Sequence, residues 1–163
     1  GTAVCTLPVG HRPTKHIMFS VQTNPNVNAR IDVQPSGAVF VDSGTTTWLS
    51  LSNIHFGVAA SDYLWASATC LNGWIPYDAN WSPARYMKDS LGIVYLDGLV
   101  KGGTSQVIFV LPEGFRPVRN AMIAVETYPN VNGRIDIQPS GAVWVESGSS
   151  TWISLSNTMF SVQ

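Results

Sequence analysis

The feature that most constrains this chain is an internal repeat. Shifted against itself by about 104 positions, the sequence aligns Leu7-Pro8 with Leu111-Pro112 and Arg12-Pro13 with Arg116-Pro117, then runs without a gap to Val58 against Val162. About 29 of the 47 positions from Arg12 onward are identical, too many for low complexity to explain, so the chain arose by duplication. Whatever one copy folds into, the other must fold into as well. The signature of each copy is Pro25-Asn26-Val27-Asn28-Ala29-Arg30-Ile31-Asp32, repeated as Pro129-Asn130-Val131-Asn132-Gly133-Arg134-Ile135-Asp136.

Periodicity within the repeat decides the element type. Apolar residues alternate in Arg134-Ile135-Asp136-Ile137-Gln138 and again in Ala142-Val143-Trp144-Val145-Glu146, the period of two that marks half-buried strands. Pro139-Ser140-Gly141 lies between them, with proline suited to the first turn position and glycine to a left-handed one. The expected hairpin pairs Ile137 with Val143 and Ile135 with Val145 on an inner face, leaving Arg134, Asp136 and Trp144 outside. Ile31, Val33, Val39 and Val41 repeat the inner face in the first copy, with Arg30 and Asp32 outside and Phe40 in place of Trp144. Trp152-Ile153-Ser154-Leu155 alternates once more, so Trp152 and Trp144 are expected to share the outer face. No stretch sustains a helical period. The fold class is therefore all-β: two tandem small antiparallel β-sandwich-like modules related by the repeat.

Three segments follow. Residues 1–58 form the first module and residues 86–163 the second. Ahead of its Leu-Pro element the second copy carries Gly92 to Gly103, for which the first has no equivalent, so the first module is expected to lack its lead strand. Residues 59–85 form a connector holding Trp65, Trp74, Tyr77 and Trp81, too aromatic and too poor in charge to stay disordered.

Bulk properties exclude several function classes. Charged residues make up only 12% and the formal net charge is -1, so no positive field for a nucleic acid backbone exists. The longest apolar runs, such as Val107 to Pro112, are strand-sized, which predicts no membrane insertion. Cys5 and Cys70 are the only cysteines and neither recurs in the second copy, which favours two buried thiols over a disulfide. His11, His16 and His55 face Phe115, Asn120 and Met159 in the alignment, and no metal-ligand spacing accompanies them. Phosphate loops, nucleophile elbows and dinucleotide fingerprints are missing from the sequence, so no cofactor and no catalytic residue is assigned and the chain is not expected to be an enzyme.

Binding residues are selected from the outer face, the loops and the connector. The outward Arg30 and Asp32, with their twins Arg134 and Asp136, form either cross-strand ion pairs or hydrogen-bonding groups for a ligand. Trp144 either packs against another layer or offers a sugar-stacking ring. Asn26, Asn28, Asn130 and Asn132 supply carbonyl and amide groups at the sheet ends, where rigid β scaffolds carry their contacts. Trp74, Tyr77 and Trp81 either fill the groove between modules or touch a carbohydrate.

The runs Leu71-Asn-Gly-Trp74, Tyr86 to Gly103, and Phe109-Val-Leu-Pro-Glu-Gly-Phe-Arg-Pro117 resemble a module of bacteriophage tail-fibre, head-fibre and receptor-binding proteins. The resemblance covers the second copy with its connector, and the first copy from Leu7. It implies a virion adhesion module that binds a host-surface receptor such as a bacterial glycan or cell-wall polymer, commonly within a homotrimer. A secreted carbohydrate- or cell-wall-binding module tethering a separate enzyme is the alternative, and a glycan depolymerase is a third reading. The resemblance supplies no matched binding residues.

Overall fold

The computed structural model describes residues 2–58 and 64–162, and these form fifteen strands. In the first module β1 (Thr2–Thr6), β2 (Ile17–Thr23), β3 (Val27–Val33) and β4 (Ala38–Ser43) make one antiparallel sheet in the order β1-β4-β3-β2. The equivalent strands of the second module are β10 (Val107–Val110), β11 (Ala121–Thr127), β12 (Val131–Ile137) and β13 (Ala142–Ser147). They pair in the same order, β10-β13-β12-β11, and the sheet then continues through β14 (Ile153–Ser154), β9 (Leu99–Lys101) and β6 (Ile75–Pro76). A second sheet of β15 (Thr158–Ser161), β8 (Ile93–Asp97), β7 (Arg85–Lys88) and β5 (Ala66–Ser67) completes the layers.

The hairpin register follows from the alternating pattern and its turn. Ile135 pairs with Val145 and Ile137 with Val143, as Ile31 pairs with Val41 and Val33 with Val39. Gly141 sits at φ +91°, and a Cβ there would lie 2.4 Å from the Leu111 carbonyl oxygen, so only glycine closes this turn. The inner face so defined, including Ile135, Ile137 and Val143, packs on Val94 and Leu96 of the second sheet in one continuous core. Burying each such aliphatic side chain stabilises the fold by roughly 1.5–3 kcal/mol.

The first module differs in its layering. Among the described residues it has one sheet, whose inner residues Ile17, Phe19, Ile31 and Val39 are covered by Leu7, Leu49, Ile54 and Phe56 instead of by a second sheet. The strand aligned with β10 is present as β1; what residues 2–58 hold no equivalent of is β8 and β9. Cys5 is consequently exposed where its counterpart Phe109 is fully buried, which corrects the expectation of two buried thiols; both cysteines are free. Burial raises the Cys70 thiol above its usual range.

The connector is built into the second module. It supplies β5 and β6 as strands of the two sheets, and Trp74 enters the core at 4% exposure with its Nε1 donating to the Ser105 carbonyl at 2.8 Å. The Trp74 ring leaves room only for glycine at position 103, where a Cβ would meet the indole at 1.9 Å. At the end of the connector Arg85 pairs with Asp97 at 2.8 Å, buried, while Ser156 donates to the second oxygen of Asp97 at 2.7 Å. Arg85 also lies 4.6 Å over the Trp65 ring, which ties both ends of the connector to the second sheet.

Candidate functional site: the seam between the two copies

In β2 the alternation that sends Ile17, Phe19 and Val21 inward sends Met18, Ser20 and Gln22 outward; in β3 it sends Asn28, Arg30 and Asp32 the same way. This outer face of the first module docks on the second. Met18 packs with Leu99 and Trp152 at 2% exposure, flanked by Tyr77 and Trp81, and its carbonyl accepts a hydrogen bond from the Ser154 hydroxyl at 3.1 Å. Arg30 grips Asp32 through two hydrogen bonds of 2.7 Å, and its guanidinium lies 5.6 Å from the Trp81 ring and 5.5 Å from the Trp152 ring. His16 stacks on Trp81 at 4.2 Å, and its burial lowers the imidazole pKa although the Asp32 carboxylate stands 3.6 Å away.

Beside this contact the two copies enclose a polar pocket of about 290 Å³. Five pairs of repeat-equivalent residues line it, Ser20 with Ala124, Val21 with Val125, Gln22 with Glu126, Ser52 with Ser156 and Asn53 with Asn157, joined by Ser50 and Asn132. Asn53 and Asn157 have φ of +63° and +66°, a left-handed conformation that asparagine tolerates better than most residues, and Asn157 Oδ1 accepts from the His55 amide at 3.3 Å. The Ser20 hydroxyl lies 2.5 Å from Asn28 Oδ1 and 2.8 Å from Asn132 Oδ1, linking β2, β3 and β12.

Glu126 is the lining's one carboxylate and is 1% exposed. Its Oε2 accepts from Asn28 Nδ2 of the other module at 2.8 Å. Burial pushes its pKa up to about 7, against the opposing pull of Asn28, Ser20 and the Arg30 charge. The pocket thus offers carboxamides and hydroxyls, with the Glu126 carboxyl buried in its wall and no cation among the described lining residues. Such groups complement the alternating donors and acceptors of a polyhydroxylated ligand.

The residues singled out from sequence fall into five places. Asn28 and Asn132 meet at the seam. Tyr77, Trp81, Arg30, Asp32 and Asn130 hold the modules together, with Arg30 Nη1 donating to Asn130 Oδ1 at 3.3 Å. Trp74 is a core residue, and Asn26 stands exposed at a loop tip with φ +72°. Arg134, Asp136 and Trp144 lie on the outer face of the second module, where Arg134 keeps its bidentate grip on Asp136 at 2.8 and 2.7 Å. Trp152 does not share an open face with Trp144: it is buried between the modules. Sequence reasoning missed Ser20, Gln22, Asn53, Glu126 and Asn157. The available signal was that Gln22 and Glu126, outward polar residues of like size, align in the repeat.

No protein-family model matches the chain, and no curated protein matches it. Among solved structures it is similar to the crystal structure of the receptor binding protein (gp15) of Listeria phage PSA, with a TM-score of 0.50. The fold is like that of a phage receptor binding protein. The two are 19% identical over 61% of this chain and 64% of the phage protein, so the likeness to the receptor binding protein is one of architecture. It agrees with the all-β reading and with the resemblance seen in the sequence.

Proposed function

We propose that this chain is a virion adhesion module that binds a glycan on the surface of a bacterial host, with the seam pocket between its two copies as the contact site. The observation that carries the reading is the fold shared with a phage receptor binding protein. The pocket supports the glycan assignment through its lining of hydroxyls and carboxamides, and its size lies at the lower end of small-molecule sites. A single shallow site of this kind binds weakly, and adhesion comes from presenting several at once.

The test displays the chain multivalently on beads and measures retention on a panel of purified bacterial wall and capsular polysaccharides. Retention by one or more polymers is expected, with free oligosaccharide competing. Asn132→Ala and Asn157→Ala are expected to weaken it at least tenfold while leaving the unfolding temperature within a few degrees. Folded, multivalent protein that binds none of the polymers would refute the proposal.

A further inference from the structure

The duplication places the same outer face on both modules, and only one of the two is covered. Met18 is 2% exposed beneath Trp152 and Leu99, whereas its counterpart Met122 is 68% exposed. The Arg30 side chain, between two indoles, is 14% exposed; that of Arg134 is 44% exposed. The local structure is nonetheless the same, because Arg134 and Asp136 keep the bidentate pair that Arg30 and Asp32 make. A face already held in its docked geometry is thus open on the second module.

The surface that fits this face is duplicated too. Trp152 covers Met18, and its backbone carbonyl is held by the Thr127 hydroxyl at 2.9 Å. Trp48, its equivalent, has its carbonyl held by the Thr23 hydroxyl at 2.7 Å but is 42% exposed. Ser154 and Ser50 share a local role as well, each accepting from the amide two residues on, at 3.3 and 3.2 Å. Asn26 matches Asn130, including its left-handed φ, and is exposed.

We infer that the open face of the second module around Met122 and Arg134 docks on the Trp48 side of the first module of another copy of this chain. The contact repeats between molecules the one that joins the two modules within a molecule. Trp48 would cover Met122 and stack near the Arg134 guanidinium, Ser50 would donate to the Met122 carbonyl, and Asn26 would accept from Arg134. The second copy is favoured as occupant because the chain itself contains a finished example of the contact. The surface is also heterologous, with different patches meeting, so repetition closes into a ring or runs on as a filament. Leu99, Tyr77 and Trp81 have no equivalents in residues 2–58, so the contact between molecules is weaker than the one within and depends on concentration.

Sedimentation velocity from 1 to 200 µM tests this, using Met122→Glu and Trp48→Ala, two exposed positions, with circular dichroism and unfolding temperature confirming that both variants fold. The wild type is expected to gain mass with concentration. Each variant alone is expected to shift the association at least tenfold to higher concentration. An equimolar mixture of the two is expected to form a species of twice the chain mass, because one variant retains each surface. A wild type that stays monomeric throughout would overturn the inference. So would folded variants that associate like the wild type, or a mixture that does not recover the two-chain species.

Discussion

Replacing Glu126 by glutamine should remove a pH dependence of stability that wild type carries at the seam. Glu126 is buried against Asn28, and its pKa rises from 4.5 to about 7. Because the folded pKa lies above the unfolded one, the folded state holds the proton more tightly. The stabilising contribution is full below pH 4.5 and disappears as pH rises through about 7. At 1.36 kcal/mol per pKa unit the ceiling is about 3 kcal/mol. Glutamine keeps an acceptor for Asn28 Nδ2 and cannot ionise, as Gln22 already illustrates at the equivalent position. Urea unfolding followed by tryptophan fluorescence at pH 5 and pH 8 reads the effect. Glu126→Gln should raise stability at pH 8 by up to about 3 kcal/mol and by less than about 1 kcal/mol at pH 5, where most of the unfolded-state carboxyl is already ionised. Taking the difference between variant and wild type at each pH cancels His16 and the other titrating groups. Equal changes at both pH values would refute the reasoning.

Trp74→Ala should cost about 3–5 kcal/mol in thermal or urea unfolding, since it empties a core position and leaves the Ser105 carbonyl without its indole donor. Trp81→Ala removes the ring stacked on His16 and one face of the Arg30 sandwich; a loss of about 2 kcal/mol in urea unfolding is expected, with hydrogen exchange faster in β2 and β3. Trp144→Ala, on the open face and half-buried, should leave polysaccharide retention within twofold and stability within about 1 kcal/mol, read in the same bead and unfolding assays.

Local rules carried the hairpins. Ile135, Ile137, Val143 and Val145 were placed inward and in register by alternation and by one glycine turn, and both copies obey it. The same rules set Arg30 beside Asp32 and Arg134 beside Asp136 without saying what covers each pair. That difference is tertiary: identical residues lie between indoles in one module and face solvent in the other. Trp152 departs from the open face that alternation assigns it for the same reason: its outward side is where the first module docks. The seam pocket was illegible because its lining comes from strand ends and turns about 100 residues apart, each polar residue unexceptional by itself. Cys5 is exposed against the expectation of a buried thiol, because the layer that buries its twin Phe109 has no equivalent in residues 2–58.

Nuclear magnetic resonance on the isotope-labelled 17.6 kDa chain tests the central claim most directly, by titrating in a soluble fragment of a retained polysaccharide. Binding at the seam predicts shift changes concentrated on the side-chain amides of Asn53, Asn132 and Asn157 and the backbone of Ser20 and Glu126, abolished by Asn132→Ala. Changes centred on Trp144 and Arg134, with the seam amides unmoved, would contradict it.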